Sequence, residues 1–355
     1  MKILINTPAL NLEGGVANHY KGLFHHWNEE VSYNIIGGRK GIPGILILPF
    51  DLIKFWVQCL IIKPDLVVLN PSLGNTALLR DSFFLKLSKL LGLATLVFFH
   101  GWKKNEEQKI NANPIRFFRK FHKANGFVVL AKEFKYKLLE WGVKQPIYLT
   151  TTKVDDKLIE NFSILKKTYQ PTILFLARVE IYKGIFIALE AFEKIKRVMP
   201  NAKLIIAGNG SSLANAKDFV QQKNMQDVVF KGNVSGDELV DCFEQAGLYL
   251  LPTYGEGMPT SVLEAMAFGL PIVTRPVGGI PDFFENKTMG LLIESFDSEI
   301  YFQESLKLLQ DSEEMEQMGK YNYSYAKENF LASKVAVQME QIFQFYLSPK
   351  NHERK

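Results

Sequence analysis

Two carboxylates stand eight positions apart in one short segment, at Glu256 and Glu264. A turn of small residues from Gly255 to Ser261 lies between them, and a helical pattern follows from Val262 to Phe268. Glycine turns expose backbone N–H groups, and the N-terminus of a helix favours an anion. The segment therefore predicts a ligand that carries both phosphate and hydroxyl groups, such as a sugar nucleotide.

Two cations, Arg178 and Lys183, follow an apolar strand and precede Gly184. A guanidinium binds phosphate through several donors, and an ammonium adds a mobile point charge. Together they suit a diphosphate and would stabilise it as it departs. Solvated loop cations are the alternative, and this alternative is the better explanation for either residue alone. Their shared position after a strand favours the phosphate-binding interpretation.

Further candidate residues lie where strands end. His100 ends an apolar strand, which suits contact with a sugar hydroxyl, although a lone histidine is more often structural. Gly14 with Gly15, and Gly208 with Gly210, form turns where a backbone can approach a ligand closely. Tight strand-to-helix turns explain the same glycines without a ligand. Neither turn completes the Gly-x-Gly-x-x-Gly fingerprint of nicotinamide or flavin dehydrogenases.

The elements that must position these residues alternate between strand and helix. Apolar runs predict strands in the first half at residues 2–6, 65–70, 94–99, 126–130 and 147–149, and the second half repeats the pattern. This alternation predicts an α/β fold with two doubly wound, Rossmann-like parallel sheets that face each other across a cleft. The polar stretch 150–170 is the expected linker. We therefore expect an N-terminal domain of residues 1–165 and a C-terminal domain of residues 166–333.

Composition restricts the class of protein. The 355 residues are 47% hydrophobic and 22% charged, as in soluble globular proteins. Cys59 and Cys242 are far apart, which predicts a reducing compartment and no disulfide framework. The N-terminal apolar stretch is too short for a signal peptide. The sequence has no Asp-x-Asp pair, His-Glu-x-x-His motif, complete P-loop or Gly-x-Ser-x-Gly elbow, so we expect no metal and no cofactor.

Charge is distributed unevenly along the chain. Residues 1–160 carry 22 Lys and Arg against 13 Asp and Glu, a net charge of +9, whereas the remainder has a net charge of −4. Residues 114–123 interleave aromatics with cations, and residues 41–62 are mostly apolar. A solvated helix face and a loop with a core-packed helix are the commoner explanations. The alternative is an N-terminal domain that lies on an anionic membrane surface. No motif indicates nucleic acid.

Taken together, these motifs resemble the retaining glycosyltransferases of family 4, which have the GT-B fold. The resemblance covers nearly the whole chain, and its most specific part is Gly-Glu-Gly-Met-Pro followed by Leu-Glu-Ala-Met-Ala-Phe-Gly-Leu-Pro-Ile-Val at residues 255–273. Gly14-Gly15, His100-Gly101, Lys183-Gly184 and Gly208-Asn-Gly210 match in order. In that fold the final helix, here residues 334–347, crosses back onto the N-terminal domain.

The resemblance also implies roles for individual residues. Arg178 and Lys183 would bind the donor diphosphate, Glu264 the ribose and Glu256 the transferred sugar, with His100 near the anomeric centre. We expect further donor contacts from three groups of residues: the glycine turns at Gly14, Gly15, Gly208 and Gly210; the base-binding stretch from Phe230 to Val234; and the turn and helix start at Gly257, Met258, Pro259, Thr260 and Ser261.

The implied reaction is metal-independent transfer of a sugar, with retention, from a UDP- or GDP-sugar to a glycan or lipid-linked acceptor in cell-surface polysaccharide biosynthesis. Both glutamates would bind the donor instead of acting as a glycosidase acid and base. The expected location is cytoplasmic, at the inner face of the cell membrane. Two alternatives remain open at this point: another GT-B enzyme, such as an epimerase or a phosphorylase, and a non-catalytic protein that binds nucleotide sugars or lipid surfaces.

Overall fold

The structure is a computed structural model, and it describes residues 1–12, 14–37 and 44–347. The chain divides into two compact units. One contains residues 1–153 and the chain from Ala332 onward, and the other contains Val154–Leu331. Each unit is built on one six-stranded sheet in which every described pairing is parallel.

The sheet of the N-terminal unit has the strand order β2-β1-β3-β4-β5-β6. Its strands are β1 (Lys2–Thr7), β2 (Glu30–Ile35), β3 (Leu66–Leu69), β4 (Ala94–Phe99), β5 (Gly126–Val129) and β6 (Ile147–Leu149). The helices between them are α1 (Gly15–Leu23), α2 (Gly44–Ile62), α3 (Asn75–Leu90), α4 (Lys104–Ala112), α5 (Pro114–Phe121) and α6 (Lys132–Glu140). The central strands are apolar along their length because helices cover both faces of the sheet.

The C-terminal unit repeats this design with the order β12-β11-β10-β7-β8-β9. Its strands are β7 (Thr172–Leu176), β8 (Lys203–Ala207), β9 (Val228–Gly232), β10 (Leu248–Leu251), β11 (Ile272–Thr274) and β12 (Gly290–Leu292). Its helices are α7 (Ile185–Val198), α8 (Leu213–Gln222), α9 (Asp237–Gln245), α10 (Thr260–Ala267), α11 (Ser298–Gln310) and α12 (Ser312–Asn329). The predicted pair of doubly wound parallel sheets is confirmed.

The boundary between the units follows Lys153, earlier than the expected position after residue 165. The N–H of Val154 donates to the carbonyl of Phe330 at 2.7 Å. The ring of Phe162 packs on Phe268 and Tyr323, with centroids 4.9 and 5.7 Å away. Residues 154–165 therefore pack on the C-terminal unit, although their composition resembles that of a linker.

The last helix, α13 (Ala332–Leu347), belongs to the N-terminal unit. The carboxylate of Glu340 accepts hydrogen bonds from the backbone N–H groups of Asn28 and Glu29 at 2.6 and 2.9 Å. Phe343 packs on Trp27, with ring centroids 6.2 Å apart. These contacts fix α13 on the segment that follows α1.

Helix α2 corrects the expectation of a core-packed helix within residues 41–62, of which residues 41–43 lie outside the described part. One side is buried through Ile47, Asp51, Phe55 and Cys59. The other side exposes between 41% and 75% of seven large apolar residues, namely Leu46, Phe50, Ile53, Trp56, Val57, Leu60 and Ile61. In the described residues, no helix combines the length and the apolar character needed to cross a membrane.

Two elements of the N-terminal unit were not predicted. Strand β2 has a mixed sequence, Glu-Val-Ser-Tyr-Asn-Ile, because it lies at the sheet edge with only β1 as a neighbour. Helix α4 is strongly polar and has Ile110 as its one buried residue. Neither segment has the apolar period that identifies an element from sequence.

Candidate functional site

The candidate site of the C-terminal unit lies at the switch point of its sheet, which is the place where the strand order reverses. Strand β7 is in the middle of the sheet, with β8 on one side and β10 on the other. The loops after β7 and β10 therefore diverge at the carboxyl ends of these strands, which is where open α/β sheets bind ligands. Arg178 and Lys183 are in the first of these loops, and Glu256 is in the second. The sheet order thus brings together three of the predicted site residues.

Lys183 and Glu256 form an ion pair across this switch point. Nζ of Lys183 is 2.5 Å from Oε1 of Glu256. Only 13% and 8% of the two side chains are exposed, so water screens the pair weakly. A ligand whose phosphate binds Lys183 and whose hydroxyl binds Glu256 would therefore have these two groups close together. Each charge also compensates the other, so removal of one leaves a poorly hydrated charge.

Backbone packing on both sides holds the turn that carries Glu256. The N–H of Tyr254 donates to the carbonyl of Tyr182 at 2.8 Å, and the N–H of Gly279 donates to that of Gly257 at 2.7 Å. Gly184 has φ of +79°, and a Cβ there would lie 2.1 Å from the carbonyl oxygen of Pro252. A side chain at position 184 would therefore separate the two loops that form the ion pair.

Arg178 is the more exposed cation of the site. Its side chain is 66% exposed, and Nη1 is 3.3 Å from Oε1 of Glu180. Its guanidinium carbon lies 5.2 Å from the centre of the Tyr182 ring, and Nζ of Lys183 lies 5.4 Å from the same ring. The Tyr182 ring thus holds both cations close together. Because an exposed ion pair contributes little, Arg178 can exchange Glu180 for a ligand anion at small cost.

Helix α10 begins directly after the turn, with Pro259 at its N-cap and Thr260 as its first residue. No side chain caps this end of the helix. Its first N–H groups can therefore serve an anion. Met258 and Pro259 are buried beneath the turn, whereas Gly257 and Thr260 are half-buried.

Tyr249 on β10 lies near the two predicted carboxylates, and the sequence did not single it out. Burial raises the pKa of its hydroxyl most, the hydrogen bond with Ser261 lowers it, and the charges of Glu256 and Glu264 raise it. The Tyr249 hydroxyl lies 2.9 Å from the carbonyl of Leu176 and 2.7 Å from Oγ of Ser261. It has a single hydrogen, which it donates to the carbonyl, so the hydroxyl of Ser261 donates to Tyr249. Ser261 therefore orders the start of α10.

The remaining predicted donor residues of this unit lie after β8 and along β9. A Cβ on Gly208 would lie 2.0 Å from the carbonyl oxygen of Ala177, and one on Gly210 would lie 2.3 Å from that of Val179. Close packing against the loop of Arg178 therefore explains both glycines. Phe230 is half-buried on β9 with Nζ of Lys217 5.8 Å from its ring, and Val234 follows the strand.

A second polar cluster lies at the switch point of the N-terminal sheet, between β1 and β3. Asn6 is on β1, Asn70 follows β3, and His100 follows β4. Nδ2 of Asn70 donates to the carbonyl of Asn6 at 2.8 Å, and Tyr20 donates its hydroxyl to Oδ1 of Asn70 at 2.8 Å. Nε2 of His100 lies 3.0 Å from the same Oδ1. Asn70 could have been found from the sequence, because it is the polar residue directly after the apolar run Leu66–Leu69.

This network fixes the proton of His100. Because the carbonyl of Asn6 only accepts, the amide nitrogen of Asn70 must face it, and Oδ1 must face His100. Nε2 of His100 is therefore the N–H donor. Burial, and secondarily the nearby His19, lower the pKa of His100 well below its usual range, so the ring is neutral. Nδ1 then has a free lone pair, which can accept a hydrogen bond from a ligand hydroxyl.

His19 packs against His100, with ring centroids 4.9 Å apart. Burial and, to a smaller extent, the charge of Lys153 lower the pKa of His19 to about 3. Among the described residues, neither ring nitrogen of His19 has a hydrogen-bond partner. Gly14 and Gly15, at the start of the same helix α1, leave open space where a Cβ would stand. That open space is what close approach of a ligand would require.

Two further features concern the surroundings of these sites. The guanidinium of Arg275, after β11, stacks 3.7 Å from the centre of the Phe296 ring and donates to the carbonyls of Glu294 and Thr253. It thereby ties the loops after β10 and β11 together, and no motif in the sequence indicated this role. Within the described part of the chain, no three His, Cys, Asp or Glu side chains are grouped so as to hold a metal ion.

Comparison with known proteins adds three likenesses. The family model described as glycosyl transferases group 1 matches residues 156–325, which lie in the C-terminal unit. An uncharacterised glycosyltransferase of Methanocaldococcus jannaschii is 31% identical over 162 residues, which are 45% of this chain and 41% of that protein. Sucrose-phosphate synthase from Thermosynechococcus elongatus has a TM-score of 0.72 at 17% identity, covering 97% of this chain and 98% of that one.

A further solved structure is HepE from Anabaena, determined in complex with UDP and glucose. It has a TM-score of 0.68 at 14% identity, covering 97% of this chain and 99% of that one. These two structural likenesses show the fold, and they confirm the predicted GT-B fold. The chain spans less than half the length of the first curated relatives that it matches, between 29% and 48%.

Proposed function

We propose that the protein is a glycosyltransferase, because residues 156–325 match the family model described as glycosyl transferases group 1. Its donor is a nucleotide-diphosphate sugar, with UDP or GDP as the nucleotide, and its acceptor is a glycan or lipid-linked molecule of cell-surface polysaccharide biosynthesis. The observation that carries the proposal is the weakly exposed Lys183–Glu256 ion pair at the switch point of the C-terminal sheet. The UDP and glucose bound by HepE are consistent with such a donor.

The donor's parts are assigned to different residues. Lys183 and Arg178 bind the diphosphate, together with the first N–H groups of α10. Glu264 accepts hydrogen bonds from the ribose, and Glu256 accepts them from the sugar that is transferred. The base lies along Phe230–Val234. His100 accepts a hydrogen bond from a sugar hydroxyl through its unprotonated Nδ1, which is the tautomer that Asn70 selects.

The proposed chemistry is transfer with retention. The bond between the anomeric carbon and the diphosphate oxygen breaks, and the diphosphate leaves with the electron pair. The acceptor hydroxyl attacks on the same face and forms the new bond. Its proton passes to the departing diphosphate oxygen. Arg178 and Lys183 favour this step because they stabilise negative charge that grows as the bond breaks.

We propose that the reaction needs no metal ion. Two cations and a helix N-terminus stand where the diphosphate would lie, and they can neutralise it. The described residues offer no cluster of metal ligands that would take over this role. Transfer activity that is unchanged by a chelator, and not increased by Mg²⁺ or Mn²⁺, is the expected behaviour.

We also propose that the N-terminal unit contacts an anionic membrane surface at the inner face of the cell membrane. Helix α3 packs against both α2 and α5, so these three helices are neighbours. The helix with the exposed apolar side, α2, and the helix that carries the cations, α5, are therefore both neighbours of α3. An apolar stripe with neighbouring cations suits the boundary between lipid chains and anionic headgroups.

The function is tested by Lys183→Gln and Glu256→Gln. Each is expected to lower sugar transfer by roughly 10²- to 10³-fold, because it removes a group that acts on the reacting part of the donor. The matched control is Lys194→Gln, which breaks the more exposed Lys194–Glu299 pair of the same unit. A nucleotide-sugar screen by thermal shift identifies the donor for the assay.

Three outcomes would reject parts of this proposal. Unchanged transfer in both Lys183→Gln and Glu256→Gln would refute the site. Epimerisation of the donor without an acceptor would identify an epimerase, and release of sugar 1-phosphate from a glycan would identify a phosphorylase. Donor binding without turnover over a broad acceptor panel would indicate a binding protein.

A further inference from the structure

A cavity of about 410 Å³ lies in the N-terminal unit between α3, α4 and α5. Its polar lining consists of two amides, one carboxylate and three cations, contributed by Asn75, Asn113, Glu106, Lys109, Arg116 and Lys120. Leu78, Ile110 and Phe117 form apolar wall, and Ile110 and Phe117 are buried. Its volume is within the range of small-molecule binding sites.

The charges of this cavity are not balanced. Nζ of Lys109 is 2.8 Å from Oε1 of Glu106, so these two compensate each other. Arg116 and Lys120 are one helical turn apart on α5 and both face the cavity. Among the described residues, neither has a carboxylate partner, and like charges four positions apart on a helix repel each other. Burial and the neighbouring Arg116 lower the pKa of Lys120. An anion in the cavity would relieve this repulsion.

The side-chain types indicate which anion fits. Arg116 offers a planar fork of donors, and Lys120 a point charge. Asn75 and Asn113 can donate from their amide groups, and Asn75 is also the first residue of α3, where the helix dipole favours negative charge. Several donors that converge on a small anion suit the tetrahedral oxygens of a phosphate group.

The cavity is on the same edge of the sheet as His100. Helix α3 begins five residues after Asn70, and α4 begins four residues after His100, so both leave the carboxyl ends of their strands. The N–H of Leu73 donates to the carbonyl of Gly101 at 2.9 Å, which ties the loops leading to α3 and α4. A molecule held in the cavity can therefore extend along these loops toward Nδ1 of His100.

We propose that this cavity binds the phosphate ester of a phosphorylated acceptor, and that Arg116 and Lys120 are its phosphate ligands. The acceptor role rests on the proposed function, whereas phosphate binding does not. The phosphate has two possible carriers with the same chemistry: a soluble phosphorylated molecule and a lipid with a phosphate headgroup. Leu79, on the rim of the cavity, and Phe83 one turn later are 46% and 39% exposed, so a hydrocarbon chain could follow α3 outward.

The test is a calorimetric titration of the full chain with sn-glycerol 3-phosphate at constant ionic strength. The cavity variant is Arg116→Gln with Lys120→Gln. Its matched control is Arg119→Gln with Lys123→Gln, which makes the same charge change on and just after α5 outside the cavity lining. We expect affinity to fall at least roughly tenfold in the cavity variant and to stay near the wild-type value in the control.

A second arm identifies the carrier. Phosphatidylcholine vesicles with and without phosphatidic acid replace glycerol 3-phosphate. The same three proteins are compared by sedimentation, and a fourth, Arg116→Lys with Lys120→Arg, is added to both arms. Cavity-dependent binding of the soluble probe assigns a soluble phosphate ester. Cavity-dependent binding of phosphatidic acid vesicles alone assigns a lipid phosphate. The charge-conserving exchange should restore most of the binding in either case.

The proposal is overturned if the loss in the cavity variant does not exceed the loss in the control with the soluble probe and with the vesicles alike. In the vesicle arm the control itself loses some binding if the cations of α5 contact the anionic surface. Misfolding is excluded separately, because removal of two repelling cations should leave the melting temperature of the unliganded protein unchanged or raised. UDP binding and transfer are measured on the same samples. If glycerol 3-phosphate binds through the cavity while no sugar nucleotide is used, the phosphate site stands and the proposed function fails.

Discussion

Lys183 and Glu256 are 73 positions apart in the chain, and their side chains nevertheless meet at 2.5 Å. Each was predicted to bind a different part of one ligand, the diphosphate and the sugar. The structure adds that each is also the other's counter-ion. A ligand that binds both must replace this pairing, because the ammonium then turns to phosphate and the carboxylate to hydroxyls. Exchange of one strong partner for another lets the site keep its charges compensated throughout.

His19 provides the prediction at the residue scale. Burial lowers its pKa to about 3, whereas a histidine in an unfolded chain has a pKa of about 6.5. Above pH 6.5 the ring is neutral in both states and contributes nothing. As the pH falls below that value, only the unfolded chain binds the proton, so stability decreases by about 1.4 kcal/mol per pH unit. The pKa of His100 is lowered as well, and its effect has the same sign.

We therefore expect the wild type to lose about 2 to 3 kcal/mol more stability than His19→Gln between pH 6.5 and 4.5. Guanidinium unfolding followed by tryptophan fluorescence measures this directly, because all four tryptophans lie in the N-terminal unit with His19. Comparison of the two proteins cancels the carboxylates that titrate in the same range. An identical pH dependence in both would contradict the assignment of His19 as a buried neutral group.

At the scale of elements, short turns determine where the charged groups go. The loop after β7 and the loop after β10 approach so closely that Gly184 lacks room for a Cβ beside Pro252. Gly278 also lacks room for a Cβ, which would lie 2.3 and 2.5 Å from the carbonyl oxygens of Glu256 and Gly257. The turn of Glu256 is thus enclosed by backbone on two sides. Such packing positions a carboxylate more precisely than a free loop would.

Gly184→Ala is the prediction at this scale. The methyl group would stand 2.1 Å from a carbonyl oxygen, and φ of +79° is unfavourable for alanine. We expect a loss of roughly 2 to 4 kcal/mol in the stability of the C-terminal unit, and weaker UDP binding because the ion pair separates. Gly236→Ala is the control, because it has positive φ of +55° but no atom within 4 Å of the new methyl group.

Differential scanning calorimetry and UDP titration measure both effects. The control should lose about 1 kcal/mol and keep its UDP affinity. Equal losses for the two alanine variants would mean that backbone strain alone, and not the approach of the two loops, explains the glycine at position 184.

At the scale of the whole molecule, charge and apolar surface are concentrated in the N-terminal unit. Residues 1–153 and 332–355, which form this unit, carry 25 Lys and Arg against 12 Asp and Glu, a net charge of +13, whereas residues 154–331 have a net charge of −8. The apolar stripe on α2 is also in this unit, and Phe50 and Ile61 are 69% and 75% exposed. Large exposed apolar patches on a folded protein usually mark an interaction surface. With the cations nearby, this surface would match the anionic lipid partner that we propose.

The corresponding prediction concerns vesicle binding. Phosphatidylglycerol vesicles should bind the protein at low salt, and binding should weaken strongly between 50 and 300 mM salt because headgroup attraction is screened. Phe50→Ser with Ile61→Ser should reduce binding at every salt concentration. Leu165→Ser is the control, since Leu165 is 87% exposed but lies in the other unit. Equal binding to neutral and anionic vesicles at low salt would refute a membrane surface recognised by charge.

The strands and turns of this protein, and the positions of its loop cations, are largely determined by local sequence. The apolar runs of β1, β4 and β10, the turns at Gly208 and Gly255, and the cations after β7 depend on neighbours a few positions away. Hydrophobic period and backbone freedom are properties of such short segments. They were sufficient to predict the class of fold and the turns that carry Lys183 and Glu256. The order in which strands alternate with helices also limited the sheets to doubly wound forms.

Tertiary structure alone decided which of these residues meet. The pairing of Lys183 with Glu256 depends on β7 and β10 being neighbours in the sheet, and the proton of His100 depends on the amide of Asn70. Strand β2 exists because β1 pairs with it, and α2 is exposed on one side because no described element covers that side. Contacts between distant segments follow from strand order and packing, which residues close together in sequence do not specify.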